Sequence, residues 1–312
     1  MGRAWRWIFV ANGTLRAPWR ILLFALLFVL LTAVAGALAA AIAGAPAGGK
    51  RLLLGQAAPL LGALGAGWIA LAVFDRRPPG ALGFAWTSRT LREIGAGVAI
   101  GGGALAVVAG ALAAAGWLVY RPEPGAIGVY LATILFDFVV LAVAAAFEES
   151  LFRGYPFQVL AQVIGPLAAM VLTSAVFALA HLRNPNVGWL ALVNIFLAGV
   201  LLAAAYVRTR SLWFATAVHV GWNWAMASLF DLPVSGLAFF DTPLYEPVEA
   251  GPDWVTGGAF GPEGGVSASV AFGLALLAVL RWPGLDEAPE MRALRPLVDR
   301  TAVDGGGDRW RK

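Results

Sequence analysis

The chain contains no cysteine. Disulfides, a thiolate nucleophile, iron–sulfur clusters and Cys-based zinc sites are therefore excluded. Charge is scarce as well: 13% of the 312 residues are Asp, Glu, Lys or Arg, about half the roughly 25% of an average soluble protein. There are only two histidines, His181 and His219. The 38 glycines and 18 prolines follow no collagen period and form no low-complexity tract, so they do not indicate disorder. No internal repeat is visible, which argues against an inverted-repeat transporter. The net charge of +4 comes from loop arginines and not from a basic face, so nucleic acid is not expected as a partner.

Apolar side chains are abundant: 60% of the residues, with a mean hydropathy of +0.78. They fall into runs of about twenty, the length that crosses a bilayer core of about 30 Å. The expectation is an all-α fold, a polytopic transmembrane helical bundle with spans over 21–43, 52–74, 94–119, 127–147, 166–181, 187–207, 212–230 and 266–281. With both termini cytoplasmic, the outer segments hold only Lys50, Arg51, Arg121 and Arg183 of the 22 Lys and Arg, as the positive-inside rule requires. The outer loop 231–265 has no Lys or Arg at all. Ala41-Ile42-Ala43 resembles a signal cleavage site, but the apolar run before it exceeds the 7–15 residues of a signal core, and a retained helix is expected. Trp5, Trp7, Trp19, Trp189, Trp213 and Trp282 stand near span ends, where indole rings anchor in the headgroup zone. The tail from Pro283 to Lys312, with its Gly305-Gly306-Gly307 run, is expected to be poorly ordered.

Ionisable groups at bilayer depth are costly, and each is a functional hypothesis. The fourth span ends in Phe147-Glu148-Glu149-Ser150-Leu151-Phe152-Arg153, the fifth in Phe177-Ala178-Leu179-Ala180-His181, and the seventh contains His219-Val220-Gly221-Trp222-Asn223. Both histidines of the protein thus belong to spans and not to loops. Adjacent glutamates on a helix diverge by about 100°. Arg153, four residues beyond Glu149, can pair with Glu149, leaving Glu148 as the free carboxylate. His219 and Asn223 share a helix face and could stabilise an oxyanion or help to hold a metal. Phe177 is expected to pack beside the His181 imidazole. Asp137 lies on the face of Glu148, about 16 Å away, and is read as lining a hydrated cavity or pairing with a neighbouring helix. Taken singly, each motif has a structural reading too: an interfacial charge cluster for the glutamates, interhelical hydrogen bonds for His and Asn.

Glu-Glu-x-x-x-Arg, Phe-x-x-x-His and His-x-x-x-Asn, in that order on three spans, resemble the CAAX prenyl endopeptidase and bacteriocin-processing family, also called the Abi or CPBP family of intramembrane proteases. The motifs cover 145–225, and Arg76-Arg77-Pro78-Pro79-Gly80-Ala81-Leu82-Gly83-Phe84 is similar to the family's loop before the third span. The resemblance implies a catalytic core over 126–230, and the apolar runs and loop charges place N-terminal helices over 1–125, an extracytoplasmic loop over 231–265, and a last helix with a cytoplasmic tail over 266–312. It implies Glu148 as catalytic carboxylate, His181 as its partner at the attacking water, His219 and Asn223 completing the site, and Glu149, Arg153 and Phe177 supporting it. Two versions of the chemistry stay open. In one, a divalent metal, zinc foremost, is held by Glu148, His181 and His219; in the other, Glu148 and His181 activate water without metal while His219 and Asn223 hold the oxyanion.

The function this implies is an intramembrane endopeptidase cutting a membrane-associated protein or peptide. The alternatives are a catalytically silent scaffold or adaptor of the same fold and a proton-coupled transporter. The lipid bilayer is the other partner, and composition suggests a multi-pass protein of a bacterial cytoplasmic membrane. One conflict is visible in advance: Glu148 falls toward the inner end of its span, and His181 at the outer end of a short one.

Overall fold

The computed structural model describes residues 10–11, 14–44, 48–294 and 297–298. Trp5, Trp7 and the tail from 299 onward lie outside the described residues. Helices dominate: α1 (Ala17–Ala43), α2 (Gly48–Ala70), α3 (Thr90–Ala114), α4 (Ile127–Phe152), α5 (Tyr155–Ile164), α6 (Pro166–Ala180), α7 (Trp189–Thr209), α8 (Leu212–Trp224) and α9 (Val266–Arg281). Among the described residues, five helical stretches are long and apolar enough to cross a membrane, namely Ala17–Ala43, Gly48–Asp75, Thr90–Ala114, Ile127–Ile164 and Trp189–Thr209. Pro166–Ala180 and Val266–Arg281 are shorter apolar helices.

Several expected boundaries move, each for a local reason. The third helix stops at Ala114, because Leu118–Pro122 (β1) leaves to pair antiparallel with Tyr245–Glu249 (β2). The fourth runs on past the expected 147 to Phe152 and carries Glu148 and Glu149 near its end. The second and the eighth helices each end in a π-helical turn, Leu71–Asp75 and Ala225–Leu229. An unexpected helix, α5, fills the connection to α6. It is amphipathic, burying Tyr155, Phe157, Gln158, Val159 and Ala161. The stretch after α9 is not loose: Arg210 pairs with Glu287 at 2.5 Å, Met291 is buried, and Pro289–Ala293 forms a short helix.

Polar side chains gather at the two ends of the bundle. At one end Arg20 donates to Tyr155, Gln162 and Asp75, while Arg77 donates to Gln158. At the other lie the β1–β2 pair and the hydroxyl contact of Tyr130 with Tyr245. Asp231 belongs to this second end, beyond α8, and its carboxylate accepts from the Thr242 amide at 3.0 Å. Burial raises its pKa from 3.8 to about 6. An acid with a raised folded pKa binds more protons in the fold than in the unfolded chain, so its contribution falls as pH climbs from 3.8 to about 6 and is level above. Asp231→Asn keeps the acceptor and removes the charge. Its melting temperature should exceed that of the parent at about pH 7.5, with the gap closing toward about pH 4.

Helix α8 is the central strut. From Phe214 to Trp222 every residue is buried, and it packs against α3, α4 and α7. Glycines permit the closest of these approaches. A Cβ on Gly101 of α3 would stand 2.0 Å from the Val218 carbonyl, and one on Gly221 would stand 2.5 Å from that of Val98. Small residues at such crossings let helix backbones touch where lipid offers no hydrophobic drive. Gly101→Ala should therefore cost about 1–3 kcal/mol, as overpacking does, read as a lower melting temperature in detergent. Gly103→Ala is the control, since its Cβ would meet nothing within 4 Å.

Candidate functional site

The site is built where α4, α6 and α8 meet. Near the end of α4 the two glutamates point apart. Glu149 is fully buried, and its side chain receives Arg153 Nη1 at 3.0 Å. The second Arg153 nitrogen, Nη2, donates to the Gly199 carbonyl of α7 at 3.1 Å, and the guanidinium lies 4.5 Å from the Phe177 ring centre. This ties the end of α4 to α6 and α7. Glu148 is the more open of the two, with its side chain 27% exposed.

His219 of α8 joins the two carboxylates. Its Nδ1 lies 3.0 Å from Glu149 Oε1, and its Nε2 lies 3.8 Å from Glu148 Oε2. A carboxylate can only accept, so Nδ1 carries the proton and Nε2 is left toward Glu148. The sequence reading linked Glu149 to Arg153 alone; this second link was missed, and nothing in the spacing of residues on two separate helices announces it. His181 is oriented in the same manner, Nδ1 donating to the Phe177 carbonyl at 2.8 Å. The Phe177 ring packs 4.8 Å from the His181 ring and 6.2 Å from the His219 ring, centre to centre.

Glu148, His181, His219 and Asn223 all line one cavity of about 160 Å³, enough for several waters. His181, expected at the far end of its span from Glu148, lines the same cavity. Fifteen residues of α6 rise only about 22 Å, less than the bilayer core. Asp137 is absent from the cavity wall; it is buried on the far part of α4 and accepts from Ser228 at 3.1 Å. Glu263 was not singled out from the sequence, yet it lines the same cavity, buried at 5% exposure.

Each imidazole has Nδ1 tied and Nε2 available, an arrangement typical of metal-binding histidine. Among the described residues, however, no three His, Asp or Glu side chains stand close enough to hold one ion. The side chains as arranged do not fit a metal.

Residues 130–225 match the family model described as type II CAAX prenyl endopeptidase Rce1-like. This segment is similar to an Rce1-like domain. It begins within α4 and ends just past α8, so Glu148, Glu149, Arg153, Phe177, His181, His219 and Asn223 fall inside it, while the loop 76–84 lies outside. The Rce1-like family is a family of proteases, and the match together with the apolar helices supports an integral membrane protein. No curated protein and no solved structure matches the chain.

Proposed function

We propose that the protein is an intramembrane endopeptidase that hydrolyses a peptide bond of a membrane-associated protein or peptide, with residues 126–230 as the catalytic core. The observation that carries this reading is the cavity shared by Glu148, His181, His219 and Asn223 inside an Rce1-like domain. Glu148 takes a proton from water, assisted by His181, and the hydroxyl oxygen attacks the scissile carbonyl carbon. The developing oxyanion accepts hydrogen bonds from Asn223 and from His219 in its protonated form, whose Nδ1–H on Glu149 steadies the added charge. Glu148 then passes its proton to the departing nitrogen as the C–N bond breaks. Atoms balance as one water consumed per bond cut.

Sidedness follows from the loop charges: both termini and the α4 end of the site face the cytoplasm, and the spans number eight when α6, α8 and α9 are included. A divalent metal, zinc foremost, is the second reading, favoured by the tied Nδ1 atoms. It requires Glu148, His181 and His219 to draw closer together.

The test uses purified protein in proteoliposomes with a panel of membrane-anchored peptides, read by mass spectrometry. Paired fragments that sum to substrate plus water are expected, and they should persist after chelation and metal analysis showing none bound. Loss of cleavage on chelation with recovery on adding zinc selects the metal version. No fragments from any peptide would leave a scaffold or transporter.

A further inference from the structure

Resting on the peptidase reading, we propose that Glu263 is a recognition group for a positively charged nitrogen of the substrate, a lysine ammonium, arginine guanidinium or amino terminus, bound beside the scissile bond.

Glu263 comes from the loop between α8 and α9, which folds back into the protein instead of standing in water. The segment Gly257-Gly258-Ala259-Phe260-Gly261-Pro262-Glu263-Gly264-Gly265 is compressed into two successive 3-10 turns. Gly261 holds φ +84°, and a Cβ there would stand 2.0 Å from the Pro233 carbonyl, so only glycine permits this path. Asn194 of α7 anchors the turn, its amide donating to the Glu263 and Gly265 carbonyls at 2.8 Å each. The chain is thus built to deliver this carboxylate to the cavity.

Its two oxygens are held separately. Oε1 accepts from the Trp222 indole at 3.1 Å, and Oε2 accepts from the Ser235 hydroxyl at 2.5 Å. Ser235 adopts φ +49°, an uncommon conformation for a residue with a Cβ, and it too lines the cavity. Trp222, His219 and Asn223 of α8 line the cavity together with Glu263, so the carboxylate shares one chamber with the proposed oxyanion donors.

Two neutral donors do not neutralise a buried carboxylate. Among the described residues Glu263 has no ion pair, whereas Glu149 has Arg153. Among the described residues no Lys or Arg lines the cavity, and its ionisable groups are Glu148, Glu263 and the two histidines. Each carboxylate oxygen keeps a further acceptor site. A buried anion without a cation is costly, and a cationic ligand removes that cost on binding. The enclosed wall would therefore favour a cation over a neutral isostere of equal length.

The test is a lysine scan through a membrane-anchored peptide, each lysine compared with norleucine at the same position. In the parent protein one position beside the cut should show kcat/KM at least about tenfold higher with lysine, the size of a charged hydrogen bond. In Glu263→Gln that ratio should fall to near one; the ratio is the readout because a general loss of activity does not move it. A ratio preserved in Glu263→Gln, or no position with a preference in the parent, overturns the proposal and leaves Glu263 as a loop tether. If the parent cuts no peptide, the peptidase reading fails separately. Tighter binding of the lysine peptide than of the norleucine peptide to Glu148→Gln protein then still decides this inference, and equal binding overturns it. Where Glu263→Gln does not fold, carbodiimide labelling of the parent replaces it. The lysine peptide should protect Glu263 and the norleucine peptide should not; equal protection overturns the proposal.

Discussion

Glu148→Gln is expected to reduce peptide cleavage by about a thousandfold or more, within the 10²–10⁴ range of a lost general base and above it if no water substitutes. The amide has nearly the same volume and keeps an oxygen toward the cavity, so folding and substrate binding should persist. It cannot accept the water proton. Melting temperature and peptide binding measured beside cleavage separate this loss from unfolding. Glu149→Gln provides a second comparison: it leaves the base in place but weakens the contact to His219 and the pair with Arg153. Cleavage retained in Glu148→Gln would remove that residue from the reaction, and a scaffold function would be untouched by either change.

Arg153→Met is expected to cost about 3–5 kcal/mol of stability, the usual price of stripping one partner from a buried ion pair. Both side chains are fully buried, and the Nη2 bond to the Gly199 carbonyl would be lost with the guanidinium. Glu149 would keep only His219 as a partner. The double change Arg153→Met with Glu149→Leu should recover much of the loss, because no lone charge is then left inside. Thermal unfolding in detergent of the parent, the two single variants and the double variant gives the coupling directly. Additive losses would show that the pair is not energetically linked.

The apolar runs and the few ionisable residues inside them were legible in the sequence, because the bilayer punishes both loops and charges. Glu148, Glu149, Arg153, His181, His219 and Asn223 stand out on that ground alone, before any fold is known. Less legible was α5. Its alternation of Tyr155, Phe157 and Val159 with Pro156, Gln158 and Gln162 is neither a span nor a polar loop, so no local pattern marks it as a helix between α4 and α6. Glu263 was hidden for a different reason. One of six acids in a loop without Lys or Arg reads as a solvated surface charge, and only the density of glycines around it hints at a turn forced against other backbone. The contact of His219 with Glu149 depends on how α8 packs against α4, which no local pattern encodes.

The glycine-tight crossing of α3 and α8 also sets how the chamber answers to change. Where backbone meets backbone at Gly101 and Gly221, no side chain is free to give way, so an added methyl group must push α8 as a unit. His219 and Asn223 ride on that helix. A single carbon on α3 is therefore felt as a displacement of two residues of the chamber at once.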